Sequence, residues 1–396
     1  MTDTFCPLLF QHLATHPHGG VTHCCIADHR QALSSAKDGD RRYYNLNRDT
    51  VFETMNSGSF RKAREQVLDG KKPKACMRCY SEEAKGIHSK RLQEIKNYPD
   101  YTVEVARAAT DVDGHMNDVQ LDFVELRLGN VCNVACRTCN PASSSKWRSD
   151  YDKLQSSTTF KLTSYDTMED FRWPEREEFW DDLLKHCDNV KTFYINGGEP
   201  MLIKQHFKFL ERLVEMRKTD IKLWYNINMT LMSEEVIKLW RKFDHVKISC
   251  SIDDLGDRNH YIRYPTKWET VMNNFLRIKE EDFEIDITQT VSWMNYSTLG
   301  DFYNFFHREH RVWVHHNYVY DPGILSPAVL PKVMRDNIHE RFSNVFEDKK
   351  LAEFKNMFDG PDKPEKWEQA KEYTRKLDKI RNHNINNYLT EFKEII

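Results

Sequence analysis

Three cysteines, Cys132, Cys136 and Cys139, lie in "LRLGNVCNVACRTCNP" (residues 126–141) as C-x3-C-x2-C, directly behind a run that reads as a buried strand. Thiolates are metal ligands, and a closed tetrahedral zinc site takes four of them or a mixture with histidine. Three on one loop can instead hold three irons of a cubane [4Fe-4S] cluster and leave the fourth iron open to a further molecule. On spacing alone, a zinc site completed by a distant ligand and a set of structural thiols stay as alternatives. Upstream lie Cys6, the pair Cys24 and Cys25, and Cys76 with Cys79 as C-x2-C. Cys6, Cys24, Cys76 and Cys79 supply four thiolates, enough for a saturated iron-sulfur cluster or a zinc ribbon. Cys187 and Cys250 read as small buried apolar residues, and Cys250, just before Ser251, has a second reading as a thiol near the site. His315 and His316 end a strand-like run and read as buried histidines, since an adjacent pair makes no metal motif by itself.

The elements that must position these residues follow from the pattern along the chain. Its 396 residues are 39% hydrophobic and 30% charged, a folded composition with a heavily charged surface. The 58 basic and 61 acidic residues leave a net charge of -3, so electrostatics favour neither nucleic acid nor an anionic membrane as partner. No window reaches eighteen apolar residues and the first residues carry no secretory pattern, which places the expected location in the cytoplasm. Eight of the ten cysteines fall in the first 139 residues, and in a reducing compartment that clustering argues for ligation before disulfides.

A helix is expected in "SFRKAREQVLDGKKP", and a connecting strand and turn in "YTVEVARAATDVDGHMNDVQ". Strand-like runs follow at 121–128, 190–195, 221–228, 246–252, 283–292 and 311–319, with amphipathic helical stretches between most of them. Six strands each followed by a helix imply a curled parallel sheet with its chemistry at the carboxyl ends of the strands. The fold class expected is therefore α/β: a partial (β/α)6 TIM-like barrel over 119–325, with a small N-terminal cysteine-rich metal-cluster domain over 1–118 and a helical C-terminal extension over 326–396.

Further motifs stand at the ends of successive strands in a definite order. "INGGEP" (Gly197, Gly198, Glu199, Pro200) follows the second strand, "YNINMT" with Asn228 the third, "SCSIDD" with Ser251 the fourth and "TVSWMN" with Val291 the fifth, and Arg263 lies twelve residues beyond Ser251. Together with C-x3-C-x2-C, this series resembles the radical S-adenosylmethionine (radical SAM) enzymes. The resemblance implies that Cys132, Cys136 and Cys139 bind a [4Fe-4S] cluster whose open iron is chelated by S-adenosylmethionine. It further implies that the GGEP turn meets the methionine amino group, Asn228 the ribose, Ser251 and Arg263 the methionine carboxylate, and Val291 the adenine. The residue before the third cysteine, often aromatic in the family, is Thr138 here. The resemblance covers roughly residues 121–320.

Cys6, Gly19 and Cys24, followed by Cys76 and Cys79, look like the opening half of the SPASM/twitch domains that hold auxiliary iron-sulfur clusters in one branch of that family, here placed ahead of the barrel. On that resemblance, Cys25 is a neighbour of the ligand Cys24, and an auxiliary iron-sulfur cluster is preferred to zinc. The activity implied is reductive cleavage of S-adenosylmethionine to a 5'-deoxyadenosyl radical, which abstracts hydrogen from a substrate. A peptide or protein is the preferred substrate, a low-potential flavodoxin or ferredoxin the electron donor, and neither a membrane nor nucleic acid is an expected partner. The alternatives are a radical SAM enzyme acting on a nucleotide, RNA or sugar, and a non-catalytic zinc-stabilised binding protein.

Overall fold

A computed structural model describes residues 4–28, 43–162 and 170–393. The six expected strands are all present, and two short ones precede them. In chain order they are β1 (His12–Thr15), β2 (Val21–Thr22), β3 (Phe123–Arg127), β4 (Thr192–Asn196), β5 (Lys222–Ile227), β6 (Val246–Ser251), β7 (Glu284–Val291) and β8 (Trp313–Tyr318). They form one eight-stranded sheet in the order β2-β1-β3-β4-β5-β6-β7-β8. β2 runs antiparallel to β1, whereas β1 to β5 through β3 and β4, and β6 to β8 through β7, pair in parallel. Parallel neighbours need crossovers, and helices supply them. The fold is thus mixed α/β with a mostly parallel sheet and a helical C-terminus.

The helices used below are α1 (Gly58–Leu68), α2 (Met77–Glu83), α3 (Lys90–Asn97), α4 (Val103–Ala108), α5 (Arg148–Ser157), α6 (Lys204–Glu215), α7 (Gly256–Ile262), α8 (Trp268–Lys279), α9 (Lys332–Phe342), α10 (Asp348–Phe358) and α11 (Pro364–Arg381). α1 is the helix expected from its breaker-bounded sequence. α4 is a correction: the strand expected near residue 103 is a short helix, because the Thr102 side chain accepts from Val105 N–H and caps its first turn. Period-2 and period-3.6 burial explain the rest. β5 buries Leu223, Tyr225 and Ile227 and leaves Lys222, Trp224 and Asn226 half-buried, while α6 buries His206, Phe209, Leu210 and Leu213 along one stripe.

The chain divides into two compact units. The first comprises Met1–Asn130, Met168–Tyr225 and Glu234–Val246, and the second Val131–Thr167, Asn226–Ser233 and Lys247–Ile396. In the second unit one apolar cluster gathers Trp147, Trp293, Tyr296, Phe342, Phe354, Phe358, Trp367, Leu377 and Phe392, so α9 to α11 pack as part of its core. Trp293 meets the Trp367 and Phe392 rings edge-on at 5.4 and 5.1 Å. Among the described residues no helix is long and apolar enough to cross a membrane.

His206 is fully buried, and burial pushes its imidazole down to about 3. Its folded pKa lies below the ordinary 6.5, so the unfolded chain binds a proton that the folded chain refuses, and stability falls as pH drops from 6.5 toward 3. Denaturant unfolding at pH 7 and pH 5 should therefore show a slope smaller by up to about 1.4 kcal/mol per pH unit in His206→Gln than in the native sequence.

Candidate functional site

In the second unit the cysteine loop is pinned through its main chain. Ala135 N–H donates to Tyr264 O at 2.5 Å and Arg137 N–H to Ile262 O at 2.7 Å, while Trp147 Nε1 donates to Cys136 O at 2.7 Å and Ser144 Oγ to Val134 O at 2.6 Å. Burial raises the thiols of Cys136 and Cys139, the latter to about 12, with the charges of Cys136 and Cys132 adding to the rise. Thiols this desolvated ionise only against positive charge, which suits metal ligands. Part of that charge comes from the chain itself. Arg263 follows α7 on the segment hydrogen-bonded to the loop; burial opposes its charge, but the Cys136 thiolate and the Asp253 carboxylate hold its pKa above the ordinary value.

Arg263 Nη1 donates to Asp253 Oδ2 at 3.1 Å, and its Nε is buried without a hydrogen-bond partner. Asp253 is fully buried, and its Oδ1 accepts Thr290 N–H at 2.8 Å. The guanidinium is therefore held on one side and keeps donor capacity for another acidic group. Ser251 Oγ, at the end of β6, donates to Asn226 Oδ1 at 2.7 Å. Asn228 Nδ2 donates to Asn133 Oδ1 at 2.8 Å, Asn133 Nδ2 to Thr230 Oγ1 at 2.8 Å, and Thr230 Oγ1 to Asn228 Oδ1 at 2.6 Å. This closed ring ties Asn228 to the cysteine loop. Val291 is fully buried in the apolar cluster.

The GGEP turn belongs to the first unit. Gly197 has φ +83°, and a Cβ there would lie 2.7 Å from the Arg127 main chain, so the turn closes directly onto the end of β3. Gly198 is also left-handed, at φ +54°. Glu199, buried, accepts Met201 N–H at 3.2 Å and starts the single turn Pro200–Leu202. Pro200 at its first position needs no N–H partner.

The model of the Radical SAM superfamily matches residues 126–307, from the strand before the cysteine loop to the helical turn before β8. The chain is also 24% identical over 139 residues to a GTP 3',8-cyclase of Campylobacter lari, a match spanning 35% of this chain and 36% of that protein. Among solved structures, native anSMEcpe with bound AdoMet superposes with a TM-score of 0.40 at 17% identity over 59% of this chain and 62% of that one. Streptococcus suis SuiB bound to the precursor peptide SuiA gives 0.37 at 13% identity over 76% of this chain and 65% of that one.

Ahead of the matched segment, Cys6, Cys24, Cys76 and Cys79 line a single cavity of about 30 Å³ with Lys90 and Arg91. Burial raises Cys6 and Cys76 to about 12, with charges on the other cysteines of the set contributing. Cys25 is absent from that lining; burial and then the Glu125 carboxylate, to which its side chain is hydrogen-bonded, raise it to about 11. Among the described residues, no three His, Cys, Asp and Glu side chains are gathered closely enough for a single metal ion. Cys187 and Cys250 are buried, as expected, and Cys187 Sγ donates to Leu183 O at 3.1 Å.

Sequence reasoning missed several polar residues of the matched segment. Asn133 and Asp253 sit inside the quoted motifs, and only their partners reveal them. His315 departs from its expected burial: its side chain is 50% exposed, with Nε2 at 3.3 Å from Asp286 Oδ2. His316 points to the opposite face of β8, where its Nδ1 meets Gln289 Oε1 at 2.8 Å. The register sets Ser251 opposite Thr288 and Thr288 opposite His315, so His315 shares the level of Ser251 two strands away.

Gly197→Ala should destabilise the chain more than Gly256→Ala. Both glycines are left-handed, at about 1–2 kcal/mol for a side chain, but a Cβ at Gly256 meets nothing within 4 Å whereas one at Gly197 meets main chain. Equilibrium unfolding of the two variants measures the difference, and equal losses would mean that the turn is not closed onto β3.

Proposed function

We propose that the chain is a radical SAM enzyme in which Cys132, Cys136 and Cys139 hold a [4Fe-4S] cluster and Arg263 and Ser251 hold the carboxylate of S-adenosylmethionine. The observation that carries this reading is Arg263: buried, fixed to Asp253, unpaired at Nε, and on the segment hydrogen-bonded to the cysteine loop. A guanidinium in that state suits a carboxylate ligand. Asn228 would take a ribose hydroxyl from its place in the Asn133–Thr230 ring. When bound, the cluster and S-adenosylmethionine would supply a one-electron reductive cleavage whose 5'-deoxyadenosyl product removes a hydrogen atom from the substrate. The protein's share is to orient that cofactor and keep water from it.

For Cys6, Cys24, Cys76 and Cys79 we propose an auxiliary iron-sulfur cluster. The four thiols line one cavity beside the basic Lys90 and Arg91, and four thiolates saturate a cubane cluster. The substrate we propose is a peptide or protein. Among the described residues β8 ends the sheet order, and it carries the exposed Trp313 and His315; an edge strand is a surface that can take extended peptide. A nucleotide substrate is the second reading, resting on the name of the curated relative, and a low-potential flavodoxin or ferredoxin is the proposed donor.

Iron, sulfide and zinc measured per chain after anaerobic purification test the clusters. About eight irons should fall to about four when Cys132, Cys136 and Cys139 are all changed to Ala. Zinc alone, unaffected by those substitutions, would sink the reading. With dithionite as reductant, 5'-deoxyadenosine should form in the native chain and not in the triple variant. Arg263→Gln should weaken S-adenosylmethionine binding, read by calorimetry, about ten- to a hundredfold, the value of a charged hydrogen bond of roughly 1.5–3 kcal/mol.

A further inference from the structure

The C-terminal helix α11 lies beyond the matched family segment and yet reaches the cysteine loop. Arg137, between Cys136 and Thr138, has a fully buried side chain. Its Nε donates to Tyr261 O at 2.9 Å, its guanidinium lies 3.6 Å from the centre of the Tyr261 ring, and its Nη2 pairs with Asp378 of α11. The same Asp378 Oδ1 accepts from Tyr261 hydroxyl at 2.9 Å, and Oδ2 accepts Ile385 N–H at 2.7 Å. Tyr373 of α11 donates its hydroxyl to Arg137 O at 3.3 Å. One turn further on, Arg381 Nε donates to Asp150 Oδ2 at 2.9 Å, with its guanidinium 4.6 Å from the Trp147 ring and 4.9 Å from that of Tyr264. Trp147 is the residue that holds Cys136 O.

We infer that α11 is a clamp in which Asp378 is the positioning residue: it fixes the cysteine loop, through Arg137, against the 261–264 segment that carries Arg263. The clamp rests on the reading of that loop and Arg263 as cluster and cofactor holders, but the contacts that make it belong to the chain alone. Both carboxylate oxygens of Asp378 accept, so an asparagine, with one accepting oxygen, must give up part of the set. Lysine at Arg137 keeps the charge and loses the Nε bond and the flat stacking on Tyr261.

The deciding measurement is hydrogen exchange by mass spectrometry on the metal-free native chain, Asp378→Asn, Asp378→Glu and Arg137→Lys. Peptides covering 131–144 should lose at least about tenfold in protection in Asp378→Asn and Arg137→Lys, with β7 and β8 unchanged, and Asp378→Glu should recover part of the loss. In anaerobically loaded protein, the electron paramagnetic resonance change on adding S-adenosylmethionine should need at least about tenfold more of it in Asp378→Asn. Unchanged protection of 131–144 in both main variants would overturn the clamp. Loss of protection throughout the second unit in both would also overturn it, because Asp378 would then serve the folding core rather than the loop. If Asp378→Asn alone unfolds, Arg137→Lys decides. Native protein that takes up no iron would defeat the cluster reading while leaving the exchange result to judge the clamp.

Discussion

The guanidiniums of Arg137 and Arg263 are buried beside the cysteine loop, and a buried charge is tolerated only where an opposite charge and hydrogen bonds compensate its lost hydration. That constraint organises the second unit. Arg137 obtains its carboxylate from α11, some 240 residues along the chain, with 241 positions separating it from Asp378. Arg263 obtains its carboxylate from Asp253, ten positions upstream and just beyond β6. Removing either carboxylate would strand a charge out of water, so the C-terminal helices and the loop after β6 are parts of one construction. The apolar cluster from Trp147 to Phe392 encloses that construction and keeps the local dielectric low enough for the pairs to matter.

The same physics acts on the thiols. Cys139, Cys6 and Cys76 are each raised to about 12, chiefly by burial. Such thiols are poor free nucleophiles and good ligands, because a bound cation returns what desolvation takes away. Basic groups stand by in both places: Arg263 senses Cys136 and Cys132, and Lys90 and Arg91 line the cavity of the N-terminal set. Cys25, hydrogen-bonded to Glu125, lies in the opposite electrostatic setting, which separates it from Cys24 on physical grounds.

β7 and β8 divide the labour of the second unit between their faces. Val314, His316 and Tyr318 turn toward aromatic side chains of the helical layer, among them Phe346, Phe354 and Phe358. Trp313, His315 and Asn317 turn the other way and are exposed. His315 is steadied there by Asp286, and Lys247 Nζ, 2.8 Å from the same carboxylate, completes a polar row at the foot of β6 and β7. That face is polar, exposed and level with Ser251, whereas the opposite face packs against the helical layer.

Much of this was legible in the residues. Period-2 runs bounded by turn formers located six strands to within a residue or two, because each strand buries alternate side chains, and the ordered motifs at their ends fall inside the segment that the Radical SAM superfamily model matches. The strand expected near residue 103 failed because a β-branched run was read without its Thr102 cap, and β1 and β2 went unseen because such short segments gain their strand character only from pairing, here with β3. What tertiary structure alone decided is which polar groups meet. Asn133 finds Asn228 and Thr230, Arg137 finds Asp378, and Cys24 rather than Cys25 turns into the cavity of the N-terminal set. Spacing along a chain fixes the chemistry a loop can offer. The partners that make buried charge tolerable come from distant segments, and their meeting depends on packing that no local pattern encodes.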